Sequence, residues 1–323
     1  MNILFVTNRF PTERTPGDSP CIAQQADALR RRGHTVDVLW IASQISRLAY
    51  ITTQLQIWRK LLLGRKYDIV HSHFGWTNAI PAALQWRVPH VVTLRGSDVM
   101  VPKQLRVTRP IVRRAAGVIT MSAEMATVLN EPNVHVIPYG IDLDIYQPKP
   151  LKEARRELGL PLDKRLILFP YDPARSRKRY DLVESALAGL GRDDVEVVAI
   201  VNKTAAQVAA YMSACDVLLL TSNWEGSPSA VREALACNMP VVSVDVGDVR
   251  DYLERAPHCA VIEQDAAAIA AGLRPILDNP IRPHTRPIAA TTGHNAIAER
   301  VERVYREAVV RTAPTSGQLK EAA

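Results

Sequence analysis

The chain has 323 residues, 47% apolar and 23% charged, a composition that excludes disordered, fibrous and collagen-like classes. That length suits two domains of about 150 residues, each able to bury its own core. The net charge of +7 is uneven: residues 1–150 hold 18 Lys and Arg against 10 Asp and Glu, whereas 151–323 hold 22 against 23. The first half is therefore expected to meet something anionic, such as a membrane surface, a phosphate-bearing substrate or nucleic acid. The opening MNILFVTNRF lacks the basic stretch and small-residue site of a signal peptide, and no apolar run reaches the roughly 20 residues of a membrane span. Cys21, Cys215, Cys237 and Cys259 are scattered and form no CxxC pair, so they read as small buried hydrophobes in a reducing compartment. A cytoplasmic protein, soluble or peripheral at the membrane, is expected.

In chain order, short β-branched runs bounded by turn residues read as strands at 2–8, 35–41, 68–74, 90–96, 117–122 and 134–140. Between the first two lies CIAQQADALRRRGH, an amphipathic stretch over 20–33 closed by Gly33 as a helix C-cap. The second half repeats the scheme, with strands at 165–171, 195–201, 216–222, 240–246 and 258–263. Its helices are expected near 178–190, 204–214, 228–237 and 265–277. Near-continuous apolar strands alternating with helices predict parallel sheets covered on both faces. The connection IDLDIYQPKPLKEARRELGLPLDK, with three prolines and no strand, sets the boundary within 141–165. We expect a first domain over 1–145 and a second over 146–312. The last helix, about 294–312, would pack back on the first domain, and 313–323 would be a disordered tail. The fold class is α/β: two Rossmann-like, doubly wound parallel-sheet domains facing each other across a cleft.

In such sheets ligands bind beyond the carboxyl ends of the strands. One loop there is NWEGSPSA, after DVLLLTS. Ser227 suits an N-cap, Pro228 the first helical position, and Val231, Ala234 and Leu235 a buried face. A helix N-terminus preceded by Gly226 presents free amides to an anion. Glu225 stands at its mouth and Glu233 about 9 Å along the axis, at about 1.5 Å per residue. The spacing suits a diphosphate on the amides with hydroxyl-bearing groups on either side. It equally suits a surface Glu and an ordinary helical one.

These residues belong to a set of ordered motifs. EGSPSAVRE (225–233) resembles the E-x7-E of glycosyltransferase family 4, retaining enzymes of the GT-B fold that use nucleotide-diphospho-sugars. VIPYGID (136–142), DIVHSHFG (68–75), PHVVTLRGSDV (89–99) and ILFVTNRFP (3–11) fit the same family across nearly the whole chain. Within it, FPYDPARSRKRYDL (169–182) and YMSACDVLLLTSNWEGSP (211–228) most resemble bacterial transferases that build cell-surface polysaccharides, including teichuronic-acid-type enzymes. The resemblance implies that Glu225 contacts the transferred sugar and Glu233 holds the ribose. The backbone from Gly226 through Ser227 and Pro228 to Ser229 would lie near sugar and diphosphate. In DPARSRKRYD, Lys178 matches the family lysine that contacts the diphosphate; Arg175 is preferred to Arg177 as the arginine, with Arg177 still in the donor-binding set.

The first half departs from the family. Arg95 stands where many relatives carry His, so that residue's role does not transfer, though an arginine could bind phosphate or acceptor. Asp98 is a candidate sugar or acceptor contact, or a structural turn. Gly17 is all that remains of the usual glycine pair in the loop 10–20. His71 and His73 share a strand face without a third ligand and read as packed. Asp142-Leu143-Asp144 reads as linker, and neither a metal nor another cofactor is expected. Without G-x-G-x-x-G or a Walker sequence, redox and ATPase chemistry lose support. WRKLLLGRKY (58–67) either lies on an anionic membrane or is a solvated helix. With aromatics at 6% and no binding module, nucleic acid is not expected as a partner. The expected activity is transfer of a hexose-type sugar from a UDP- or GDP-linked donor to a glycan or lipid-linked acceptor. The alternatives are other sugar-nucleotide chemistry, such as epimerisation, and a catalytically idle nucleotide-sugar-binding protein.

Overall fold

The computed structural model describes residues 1–11, 19–41 and 48–312. Gly17 and the expected tail at 313–323 lie outside the described residues. The chain divides into two compact units, Met1–Pro138 with Asn295–Ala323, and Tyr139–His294. The division falls ahead of the 145/146 boundary drawn from the prolines.

The first unit is built on β1 (Asn2–Thr7), β2 (Thr35–Trp40), β3 (Ile69–His73), β4 (His90–Thr93), β5 (Gly117–Thr120) and β6 (Val134–Val136). They form one parallel sheet in the order β2-β1-β3-β4-β5-β6. The first helix, Pro20–Arg31, ends as its sequence predicts: Gly33 takes φ +86°, and the amides of Gly33 and His34 bond back to Arg30 and Leu29. The final helix, His294–Thr312, seals this unit. Its Tyr305 hydroxyl meets His71 Nδ1 at 2.6 Å, and Glu302 takes Arg32 and His34 at 2.5 and 2.9 Å. Gly117 lies so close beneath Val304 that a Cβ there would stand 2.8 Å from its side chain.

The second unit holds β7 (Arg165–Phe169), β8 (Val195–Ala199), β9 (Val217–Leu220), β10 (Val241–Val244) and β11 (Ala260–Ile262), again parallel, in the order β11-β10-β9-β7-β8. Both faces of the central strands β7, β9 and β10 are buried, which is why these strands read as unbroken apolar runs. Leu166, Leu168, Leu218 and Leu220 pack on one side; Ile167, Phe169, Val217 and Leu219 pack on the other. Helices over Ala205–Ala214 and Ala266–Asp278 begin at side-chain caps from Thr204 and Asp265.

The proline-bearing connection holds an element absent from the sequence reading, a helix over Leu151–Leu158 closed by Gly159 at φ +66°. It carries Arg155, which is fully buried. The guanidinium donates to the carbonyls of Ala214, Pro161 and Lys164 and to Asp216 Oδ2 at 2.7 Å, and that same carboxylate oxygen accepts the Leu166 amide at 2.6 Å. One buried ion pair thus ties the amino ends of β7 and β9 together. Replacing Asp216 with Ala would leave a buried guanidinium and a buried amide unmatched. Urea denaturation of the D216A protein is expected to show a loss of about 3–5 kcal/mol; a loss below about 1 kcal/mol would contradict this role.

Candidate active site

The order β11-β10-β9-β7-β8 places a switch point between β7 and β9, where connections leave in opposite directions and open a crevice at the carboxyl ends. Two loops border it: Pro170–Arg179 after β7, and Thr221–Pro228 after β9. The residues picked out by the motifs in this unit lie on these loops and on the helix Ser229–Ala236.

The loop after β7 closes with a single tight turn over Ser176–Lys178, where the sequence reading had begun its helix; that helix starts at Tyr180. The end of β9 clamps this turn. Buried Thr221 donates its hydroxyl to the Lys178 carbonyl at 2.7 Å, and the Asn223 amide donates to the Arg177 carbonyl at 2.9 Å. Gln264 holds the other side through the carbonyls of Thr221 and Ser222. So fixed, Lys178 points its ammonium to Glu225 Oε1, which also accepts the Ser222 hydroxyl at 2.7 Å. The ammonium lies 3.1 Å from the centre of the Tyr171 ring. Burial lowers the Lys178 pKa to about 8 despite the opposing pull of Glu225. Burial and the charges of Glu225 and Glu233 push the Tyr171 phenol well up. Tyr171 is therefore close to both acids of E-x7-E and hydrogen-bonded to Glu225.

The helix begins one residue later than its composition suggests. Pro228 is the N-cap and makes no side-chain cap. Ser227 cannot cap, because its hydroxyl donates to Asp248 Oδ2 at 2.7 Å and accepts from buried Arg232 at 2.6 Å. Ser229 and Glu233 are then one turn apart on one face. The half-buried Glu233 carboxyl is pushed up by burial and drawn back by Ser229, Arg232 and Tyr146. Tyr146 comes from the connection after β6, where sequence reading saw only linker. Nearby, Asp142 Oδ1 accepts the amides of Asp144 and Ile145, a turn rather than a ligand set. Gly247, at φ +61°, lies under the loop: a Cβ there would stand 2.9 Å from the Gly226 carbonyl and 3.2 Å from that of Glu225. Sequence reading passed over Tyr146, Tyr171, Arg232, Asp248 and Gly247. Gly247 was the most visible of them, a glycine directly after a strand.

The arginines divide. Arg177 lies over the Trp224 ring at 4.3 Å, flanking the loop that carries Glu225. Arg175 is exposed and has no ion-pair partner among the described residues, leaving its guanidinium available to an incoming anion.

In the first unit the candidates separate. Asp98 is buried, and its carboxylate accepts the amides of Gly75, Arg95 and Gly96 at 2.8–3.0 Å. Of its two sequence readings, the geometry supports the structural one: it joins the loops after β3 and β4. Arg95 reaches His73 Nδ1 at 3.0 Å and Cys21 Sγ at 3.3 Å, and lies 4.9 Å over Phe74. His71 and His73 are packed, their pKa values held well below the usual imidazole range by burial and neighbouring positive charge. Among the described residues no group of three or more His, Cys, Asp or Glu side chains is placed to hold a metal ion.

Comparison with known proteins agrees with this geometry. Residues 19–145 match the family described as Glycosyltransferase Family 4, and residues 176–293 that described as Glycosyl transferases group 1. TuaC of Bacillus subtilis (strain 168), a glycosyltransferase named for teichuronic acid biosynthesis, is 31% identical over 236 residues, 64% of this chain and 60% of TuaC. The chain thus spans less than two thirds of that relative's length. Sucrose-phosphate synthase from Thermosynechococcus elongatus superposes with a TM-score of 0.77 at 19% identity, over 96% of this chain and 99% of that one. Anabaena Alr3699/HepE, solved in complex with UDP, gives 0.71 at 16% identity over 95% and 100%. Two successive family matches lie on two parallel-sheet units of the GT-B type, and the chain belongs to the family 4 type of glycosyltransferases.

Proposed function

We propose that this protein is a retaining glycosyltransferase that moves a hexose-type sugar from a nucleoside-diphospho-sugar, most simply a UDP-sugar, to a glycan or lipid-linked acceptor in cell-surface polysaccharide synthesis. The observation that carries the reading is the buried Lys178–Glu225 pair at the β7/β9 switch point, with Glu233 one turn inside the adjoining helix. The crystallised complexes of HepE with UDP and UDP-glucose favour the uridine donor, and the name of TuaC favours a cell-surface glycan.

The chemistry follows from the charges. A diphosphate entering the crevice competes with Glu225 for the Lys178 ammonium and meets Arg175 and Arg177 from the loop above. Its oxygens also face the helix amides beginning at Ser229. Glu225, released from the ammonium, accepts hydroxyl hydrogens of the sugar, and Glu233 accepts those of the ribose diol. Transfer breaks the bond from the anomeric carbon to the phosphate oxygen and forms one to the acceptor oxygen on the same face. The acceptor proton passes to the departing phosphate. Lys178 and the arginines stabilise the charge that develops on that phosphate, without a metal in this reading.

Glu225→Ala and Lys178→Ala should each lower kcat roughly 100- to 1000-fold with circular dichroism unchanged; unaltered turnover in both removes the assignment. Glu233→Gln should weaken UDP binding by about 10- to 100-fold in calorimetry, the loss of charge-assisted hydrogen bonds; equal affinity would move the ribose elsewhere. Lys178 titrates near pH 8 in the free protein and must be protonated to hold phosphate. Donor kcat/KM should therefore fall as pH rises through about 8, while kcat stays flat further up because bound diphosphate raises that pKa. A kcat/KM profile level to pH 10 (about two units above the titration) would contradict this.

A further inference from the structure

The helix Ala49–Leu63 between β2 and β3 is apolar on the side that faces solvent. Ile57 and Leu61 turn inward to the cluster of Leu4, Val6, Leu39 and Val70. Ile51, Leu55, Trp58 and Leu62 recur at three- and four-residue steps on the opposite side. Leu55 is 65% exposed and Leu62 56%. Trp86, from the turn before β4, extends the stripe: its ring stacks edge-on against Trp58 at 4.7 Å and is 82% exposed. Single exposed apolar residues are ordinary, whereas a contiguous stripe ending in paired tryptophans is not.

The charges carried beside this stripe in the chain are almost all of one sign. Arg59, Arg65, Lys66 and Arg87 are exposed, Lys60 is half-buried, and none has an ion-pair partner among the described residues. From residue 38 to 97 the only acid is Asp68, whose carboxylate is taken by the Asn2 amide at 2.7 Å. Apolar side chains bordered by unpaired cations, with tryptophans at the rim, fit the headgroup boundary of an anionic bilayer. A second copy fits badly, since a symmetric contact would set these cations against each other. No helix among the described residues is long and apolar enough to cross a membrane, so attachment would be to its surface.

We propose that the face formed by Ile51, Leu55, Trp58, Leu62 and Trp86, with the Arg and Lys residues near it in the chain, docks the protein on an anionic lipid bilayer. This surface would bind lipid whether or not the transfer reaction proceeds.

The test is co-sedimentation of the full chain with phosphatidylcholine vesicles, with and without phosphatidylglycerol. Binding is expected only to the anionic vesicles, with a blue shift of tryptophan emission, and salt should weaken it. Arg59→Gln, Lys60→Gln, Arg65→Gln and Lys66→Gln should lower the partition coefficient about fivefold per charge at low salt. Leu55→Ser with Trp86→Ser should abolish binding without moving the thermal midpoint, since both side chains are exposed. No binding to anionic vesicles, or binding equal to that on neutral ones, overturns the proposal. So does a native chain that self-associates on a sizing column while the double serine variant is monomeric and neither binds lipid. UDP calorimetry on the same samples separates these outcomes from any failure of the donor site.

Discussion

The second unit depends on one carboxylate. Asp216 sits in the interior where β9 begins, and it accepts at once from the β7 backbone and from the Arg155 guanidinium. Strand pairs without such a fixture can slip, and a slip of one residue would exchange the two buried faces. Here the amino ends of both strands are pinned, so their carboxyl ends diverge from a fixed origin. The Lys178–Glu225 pair lies at that far end. The two ion pairs are built differently: Arg155 and Asp216 are both almost fully buried, whereas Glu225 keeps some exposure and burial lowers the Lys178 pKa. The first is saturated and structural. The second is only partly enclosed, and the positive charges of Arg177 and Arg175 stand near it.

The same contrast separates the acids elsewhere. Asp98 receives three backbone amides, while Glu233 is met by the side chains of Ser229, Tyr146 and Arg232. Burial raises both carboxyls. What distinguishes them is the kind of donor: backbone amides in one case, side chains in the other.

Much of this was legible in the sequence, for identifiable reasons. Strands such as RLILF and VLLL are buried on both faces, so composition alone reveals them. The crevice was legible because it lies in loops that follow strands, and Glu225, Glu233 and Lys178 are brought to it. What escaped was set by distant partners. Ser227 looks like a helix cap until Asp248, twenty-one residues on, takes its hydroxyl. Leu151–Leu158 is a helix around an arginine whose partner lies near residue 216. Leu61 reads as one of three equivalent leucines, yet it faces the core and its neighbours face out. Local patterns carry local structure; a charge that is matched sixty residues away leaves no local trace.

The closing helix has a consequence for how the molecule is made. Tyr305 caps His71, Val304 covers Gly117, and Glu302 gathers Arg32 and His34, so the first unit borrows its lid from the far end of the chain. Ribosomes deliver residues in order, and N-terminal domains ordinarily fold first during synthesis. This one cannot finish that way. Its sheet emerges early with a raw apolar flank, the intervening unit is translated before the missing helix appears, and only then does the earliest-born half become watertight.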